Sequence, residues 1–243
     1  MAQAFDARRM AEAVAEVRYR MEQAAKAAGR NPADILLCAV CKTRTPDTIR
    51  DSAALPVDLF GENHMQELVV NHDAGAYLEK PVHFIGHLQT NKVKKVVGKA
   101  DIIQSVDSLR LLEAIDKEAG KQGLRQEILL ELNIGEEASK SGFGADDILP
   151  LVDRISEFPN ICIKGLMAIP PIQQNSGENL KFFQKMFQLS VDIRTKKYDN
   201  VMVDCLSMGM SGDFADAIAA GSTMIRVGTA IFGARNYAKD SSN

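Results

Sequence analysis

The sequence predicts a closed parallel barrel of eight strands, (β/α)8 of the TIM type, with one additional helix in front of it. Three observations carry that prediction. Eight short apolar runs alternate with segments of helical periodicity, the runs are apolar nearly throughout, and no G-x-G-x-x-G turn follows the first of them. Strands apolar on both faces need helical crossovers, which makes them parallel, and without a glycine-rich first turn an open nucleotide-binding sheet is disfavoured. No repeat, low-complexity tract or linker divides the 243 residues. Residues 1–243 therefore read as a single barrel domain, with 1–30 as a helix packed on it.

The elements follow in order. A helix near residues 4–28 lines up Met10, Val14, Val17, Met21, Ala24 and Ala28, and Gly29 and Asn31-Pro32 stop it. Ile35–Cys41 is the first strand, and Thr45-Pro46-Asp47 opens a helix to Ala54. Val57–Gly61 is the second, with a helix over Met65–Leu78. Val82–Gly86 is the third, followed by a lysine-rich helix over Asn91–Gly98. Ile102–Val106 precedes a helix from Ser108 to Gly120, and Glu127–Asn133 one over Ala145–Ile155. Ile161–Ile169 leads to a long helix over Glu178–Lys196. The stretch Val201–Arg235 supplies the last two strands, Met202–Ser207 and Met224–Val227. These empty into Gly209-Met210-Ser211-Gly212 and Gly228-Thr229, each followed by a helix.

Composition sets the outer bounds. Apolar residues at 46% and charged residues at 25% are ordinary for a globular protein, and a net charge of −3 gives no basic field for nucleic acid or an acidic membrane. No apolar run reaches the roughly 18–20 residues of a membrane span, and the start MAQAFDARRM lacks the apolar centre of a secretory signal. The expected location is the cytoplasm. The four cysteines, Cys38, Cys41, Cys162 and Cys205, lie in apolar strand-like runs and read as reduced, buried thiols. Cys38 and Cys41 spell C-A-V-C, but three residues apart on a strand they face opposite ways and cannot chelate together. His64, His72, His83 and His87 show no metal-ligand spacing, and Lys92, Lys94, Lys95 and Lys99 read as a solvated face.

Chemistry in such a barrel gathers at the C-terminal strand ends, and phosphates sit after strands seven and eight. Ser207–Ser211 and Gly228-Thr229 offer small residues, hydroxyls and free amides there. On the first strand Leu36, Cys38, Val40 and Lys42 share a face. If that face turns inward, Lys42 enters the mouth beside apolar neighbours, where its amine becomes a nucleophile; the plain alternative is a lysine reaching solvent at a strand end. A lysine opposite a phosphate cradle suits a pyridoxal phosphate (PLP) site or a cofactor-free Schiff-base aldolase. Arg226, two residues before Gly228, would keep a pyridine nitrogen unprotonated; it could equally bind phosphate or pair with a carboxylate. Glu62 and Asp213 are the carboxylates read as nearest the mouth, in structural roles.

The chain resembles the pyridoxal phosphate homeostasis protein family (YggS/PROSC-like). The matching motifs are A-V-C-K-T at Ala39–Thr43, F-G-E-N at Phe60–Asn63, H-F-I-G-H-L-Q-T-N-K at His83–Lys92 and S-K-S-G at Ser139–Gly142. They continue with G-L-M-A-I at Gly165–Ile169, L-S-M-G-M-S-G-D-F at Leu206–Phe214 and I-R-V-G-T-A-I-F-G at Ile225–Gly233. The resemblance implies a monomeric barrel like the alanine racemase N-terminal domain, with PLP as an internal aldimine on Lys42. It further implies Arg226 facing the pyridine nitrogen, phosphate on Ser211, Gly228 and Thr229, Asn63 near the ring, and Ser207 as a phosphate or structural neighbour. Cys41 stands where relatives commonly carry serine, and Ala215 where they often carry an acidic or polar residue; both are expected to face away from the mouth.

A racemase on this barrel needs a second base, usually from another domain or subunit. Few residues follow Val227, and Tyr19, Tyr77, Tyr198 and Tyr237 fall on helices or at the tail. The expected function is therefore PLP holding and homeostasis without turnover, with no catalytic residue and no metal. Apo PLP-dependent enzymes are candidate recipients, and effects on amino-acid and keto-acid pools are indirect. The enzyme alternative is a weak PLP-dependent racemase or lyase.

Overall fold

Eight strands pair in chain order, and the first closes on the last, in the computed structural model, which describes residues 7–137, 141–171 and 177–233. Residues 4–6 of the expected first helix, Ser139 and Lys140 of S-K-S-G, the end of the Val201–Arg235 stretch and Tyr237 lie outside the described residues. The strands are β1 (Leu36–Val40), β2 (Leu59–Glu62), β3 (Val82–Phe84), β4 (Ile102–Val106), β5 (Gln126–Leu132), β6 (Ile161–Ala168), β7 (Val201–Ser207) and β8 (Met224–Val227). All eight pairings are parallel. The predicted (β/α)8 barrel is the fold.

The helices are α1 (Ala7–Ala27), α2 (Pro46–Ala53), α3 (Met65–Asp73), α4 (Leu109–Gln122), α5 (Ala145–Asp153), α6 (Leu180–Arg194), α7 (Phe214–Ala219) and α8 (Thr229–Phe232). Local chemistry fixes their ends. Thr45 caps α2, its hydroxyl accepting from Thr48 N, with Pro46 in the first turn. Ser108 caps α4, which stops at Gly123 in the left-handed conformation. The lysine-rich crossover differs from expectation. It is a 3-10 turn over Thr90–Lys95, not an α-helix to Gly98. Lys92 N donates to Gln89 O and Val96 N to Val93 O, the three-residue pattern. Buried Val93, Val96 and Val97 are β-branched and gain little from an α-helix so short. The helix after β2 likewise ends early, at Asp73, before a turn that carries Tyr77.

Alternation along each strand separates two cores. Cys38, Leu59, Ile102, Leu129, Met167 and Met224 fill the barrel interior. Leu37, Phe60, Ile103, Leu130, Leu166 and Ile225 face the helices in the larger outer core. The N-terminal helix buries Met10, Val14, Val17, Met21 and Ala25 and lies against α7 and α8. Arg20 stacks 4.8 Å above the Phe214 ring, and Arg30 donates to the carbonyls of Ile218 (2.8 Å) and Ser222 (2.6 Å). So α1 braces the β7–β8 side of the barrel, which carries the small-residue loops.

Leu129 is fully buried at the centre of the interior layer. Leu129→Ala should lower unfolding free energy by about 2–5 kcal/mol, read as a lower urea midpoint with an unchanged slope.

Candidate functional site

The first strand sets the site's register. Cys38 and Val40 belong to the interior layer and Cys41 to the outer core, so the face of β1 shared by Leu36, Cys38 and Val40 is the inward one. Lys42 follows Val40 at the C-terminal rim and is half-buried. The next residue, Thr43, has φ 63°, a left-handed conformation that a β-branched residue adopts at a cost of about 1–3 kcal/mol. Its amide donates to Glu67 Oε1 at 3.1 Å, which holds the turn. Strand pairing places Cys38 beside Arg226 and Ala39 beside Val227. One step on, Gly228 packs against Val40: a Cβ at 228 would lie 3.2 Å from Val40 O and 3.3 Å from its Cβ. Only a small residue lets the β8 loop come so close to the Lys42 strand.

Arg226 points inward and is almost fully buried. Its Nη1 donates to Ser207 O (2.8 Å) and Ser207 Oγ (2.7 Å), and its Nη2 to Ala168 O (2.9 Å). Burial lowers its pKa, and nearby anionic groups, Glu131 among them, oppose that; a guanidinium still keeps its proton. The cage continues across the barrel. Ser207 Oγ donates to Gln104 Oε1 (2.6 Å), and Gln104 Nε2 bonds with His83 Nδ1 (2.7 Å). Burial depresses the His83 pKa to about 3, so His83 is neutral; accepting at Nδ1, it carries its proton on Nε2. Strands three, four, seven and eight are thereby tied by one polar chain, and Ser207 is fully engaged in it.

The loops above Arg226 form the small-residue cradle. Arg226 N donates to Gly209 O (3.0 Å), which fixes the β7 loop to β8. Asp213 shapes that loop: its Oδ1 accepts from Met210 N (2.7 Å) and its Oδ2 from Asn179 Nδ2 (2.8 Å). Among the described residues the amides of Ser211 and Gly212 find no acceptor. The first amides of α8, at Thr229 and Ala230, have no carbonyl one turn earlier within the helix. These donors rim the same strand ends, with Ser211 half-buried and Thr229 exposed.

The carboxylates differ from the sequence reading. Glu62 faces outward, in step with Phe60, and is wholly buried. Its Oε1 accepts from Asn71 Nδ2 (2.7 Å) and Tyr77 OH (2.9 Å), while Oε2 has no partner. Burial raises its pKa to about 7. Tyr77 thus reaches a strand end, but on the outer face. The carboxylate that does enter the mouth is Glu131, which the sequence reading missed. It is paired with inward Met167 and sits two residues after inward Leu129; that period of two was the signal that could have found it. Burial, with Asp107 nearby, lifts its pKa to about 7 against the pull of Arg226. A cavity of about 340 Å³ opens beside it, lined also by Asn63, Ile85, Gly86 and Ile169. Gly86 is held tightly against Asn63, since a Cβ there would lie 2.0 Å from Asn63 O.

The other sequence candidates stay apart. Among the described residues no group of His, Cys, Asp or Glu could hold a metal ion. His83 is buried, whereas His87 is exposed, with Nδ1 3.1 Å from Asp107 Oδ2. All four cysteines are free. Cys38, Cys41 and Cys205 are buried, but Cys162 is only half-buried, because β6 shows its polar face there beside Lys164. Lys94 and Lys95 are exposed, and Lys99 pairs with Asp73 at 2.7 Å. Ala215 is exposed on α7. No helix among the described residues is long and apolar enough to cross a membrane.

The chain is similar to known proteins along most of its length. The family "Alanine racemase, N-terminal domain" matches residues 13–236. The "Pyridoxal phosphate homeostasis protein" of Aquifex aeolicus (strain VF5) is 38% identical over 226 residues, 93% of this chain and 98% of that protein. The protein of the same name from Escherichia coli (strain K12) is 37% identical over 237 residues, 95% of this chain and 98% of that one. The structure of PipY from Synechococcus elongatus PCC7942, with PLP bound, superposes with TM-score 0.75 at 31% identity, covering 88% of this chain and all of that one. Alanine racemase from Streptomyces coelicolor A3(2) shares the fold at TM-score 0.70 and 14% identity, with 93% of this chain but 59% of the racemase covered.

Two outcomes follow from the buried groups. Ser207→Ala removes an acceptor of Arg226 and a donor to Gln104, and should cost about 1–3 kcal/mol in denaturant unfolding. Glu62 has a folded pKa of about 7 against an ordinary 4.5. The native state therefore holds its proton more tightly, and stability falls as pH rises from 4.5 to 7, by up to about 3 kcal/mol. Buried neutral His83 acts in the opposite sense below pH 6.5. The difference between wild type and Glu62→Gln isolates the Glu62 part: the variant should gain relative stability on going from pH 5 to pH 8.

Proposed function

The chain belongs to the pyridoxal phosphate homeostasis protein family, and from that premise we propose that it holds PLP reversibly on Lys42 and maintains the intracellular supply of the cofactor. The observation that carries the reading is Arg226: a guanidinium buried in a cage of neutral acceptors, under the small-residue cradle and beside the Lys42 strand. PLP, when bound, supplies an aldehyde, a phosphate and an electron-withdrawing ring. The residues present fit such a group. Lys42 offers the amine for the aldehyde. Ser211, Gly228 and Thr229, with the unpartnered amides around them, offer the phosphate site. Arg226 faces the pyridine nitrogen and, because it keeps its proton, leaves that nitrogen unprotonated. Ser207 holds Arg226 in place, and Asn63, whose Oδ1 lacks a donor, stands on the ring side of the mouth.

The role is that of a carrier. An unprotonated ring is a weak electron sink, so carbanion chemistry on it is slow. None of the three described tyrosines reaches the mouth: Tyr77 is bound to Glu62 on the outer face, Tyr198 donates to Asp153 at 2.6 Å, and Tyr19 is exposed on α1. Matches over 98% of the length of two homeostasis relatives support that role. The carrier acts as a cytoplasmic monomer, its recipients are apo PLP-dependent enzymes, and changes in amino-acid and keto-acid pools follow indirectly. One observation favours a second reading, a weak racemase or lyase: Glu131 puts a titratable carboxylate in the mouth.

Purified protein mixed with PLP should turn yellow, and borohydride should fix the cofactor on the Lys42 peptide. A protein that stays colourless and retains no PLP overturns the proposal. Lys42→Ala should lose the colour yet keep some cofactor, since cradle and arginine remain. With D- and L-amino acids in deuterated water, Cα exchange at a typical enzymatic rate of about 10 s⁻¹ would establish the enzyme instead. Transfer of PLP to an apo-enzyme in the presence of a trap for free cofactor separates direct handover, which survives the trap, from buffering, which does not.

A further inference from the structure

Across the mouth from the cradle lies the cavity of about 340 Å³ between Asn63, Ile85, Glu131 and Ile169. Its polar groups are unbalanced. Among the described residues the side chain of Glu131 accepts no hydrogen bond, and the buried Oδ1 of Asn63 has no donor. Arg226 lies within electrostatic reach of Glu131. Both of its terminal nitrogens, however, are turned to Ser207 and Ala168, so it neutralises Glu131 only from a distance. His87 turns its Nδ1 to Asp107, which repels Glu131 further. Ile85 is buried and Ile169 partly exposed, and both are apolar walls of the same space. A carboxylate in such surroundings is costly until a charged donor reaches it. A ligand with an N–H-rich cation on a short apolar stem would fill both needs, pairing with the acid and covering the isoleucines.

We propose that this cavity is a binding site for a primary alkylammonium group, with Glu131 as its counter-ion and Ile85 and Ile169 packing against its stem. The elevated Glu131 pKa, from burial and Asp107, accords with a counter-ion position that the described residues leave open. The inference goes beyond PLP holding and does not require it: Asn63 flanks both sites, but Glu131, Ile85 and Ile169 make none of the contacts proposed for PLP. Two sources carry this chemistry: a free small amine or amino acid, and a lysine side chain of another protein.

The test follows the ¹³C-labelled isoleucine methyls of the full-length chain by NMR, with and without added PLP. The probes are n-butylammonium, Nα-acetyl-lysine amide, an unstructured peptide with one lysine, and n-butanol as the neutral isostere. Saturable shifts are expected at Ile85 and Ile169 but not at Ile115, on the buried face of α4. Glu131→Gln should weaken ammonium binding at least about tenfold, and n-butanol should bind wild type more weakly by a similar factor. Binding of the two small ammonium probes alone identifies a free amine, and binding of the peptide as well identifies a protein lysine; either supports the site. The inference is overturned if no ammonium probe gives saturable shifts, if Glu131→Gln binds as tightly as wild type, or if n-butanol does as well. Titration without PLP reads the ammonium site even where the chain takes up no cofactor, so the two proposals fail separately.

Discussion

Burying a guanidinium inside a barrel is the constraint on which the rest of this site depends. A buried cation without partners is untenable, so the strands around Arg226 must provide acceptors at fixed positions. They do so with two carbonyls and one hydroxyl, all neutral. A carboxylate partner would have tied the arginine into an ion pair and cancelled its field. Neutral acceptors leave the positive charge expressed at the mouth while satisfying the N–H groups that face inward. The acceptor Ser207 is itself fixed by Gln104, and Gln104 by a histidine too buried to charge. The interior of this barrel is thus crossed by one polar chain, from β8 and β7 to β4 and β3, among otherwise apolar side chains.

From that arginine the mouth divides in two. On the β7–β8–β1 side the chain is small and rich in unused amides, and Gly228 lets the loop press onto Val40 below Lys42. The strained turn at Thr43, with its amide held by Glu67, fixes the backbone immediately after the lysine. On the β2–β3–β5–β6 side there is open volume, apolar wall and a carboxylate. Among the described residues, backbone amides without acceptors therefore stand on one side of the mouth and a carboxylate without donors on the other.

Much of this was legible in the sequence for a simple reason. Parity along a strand groups residues by face, so Leu36, Cys38, Val40 and Lys42 could be read as one set, but which set turns inward is decided only by barrel closure, which puts Cys38 and Val40 in the interior layer. The same parity explains the opposed faces of Cys38 and Cys41. Where parity was not applied, the reading went astray. Glu62 follows inward Leu59 and Gly61 and must face the helices, so its place at a strand end does not bring it to the mouth, while Glu131, absent from the sequence candidates, follows inward Leu129 and must face the mouth. The polar chain from His83 to Arg226 has no sequence signal, because it joins residues far apart in the chain through barrel closure. The 3-10 crossover after β3 fell between patterns, since three valines at helical spacing looked alike in either helix.

In the proposed role, caged Arg226 keeps its charge and thereby holds the nitrogen of a bound PLP ring unprotonated. The nitrogen-15 chemical shift of ring-labelled PLP bound to the protein measures this directly. The expected result is the shift of an unprotonated pyridine at neutral pH, moving little between wild type and Glu131→Gln. A shift characteristic of a protonated pyridinium in the wild-type protein would contradict it.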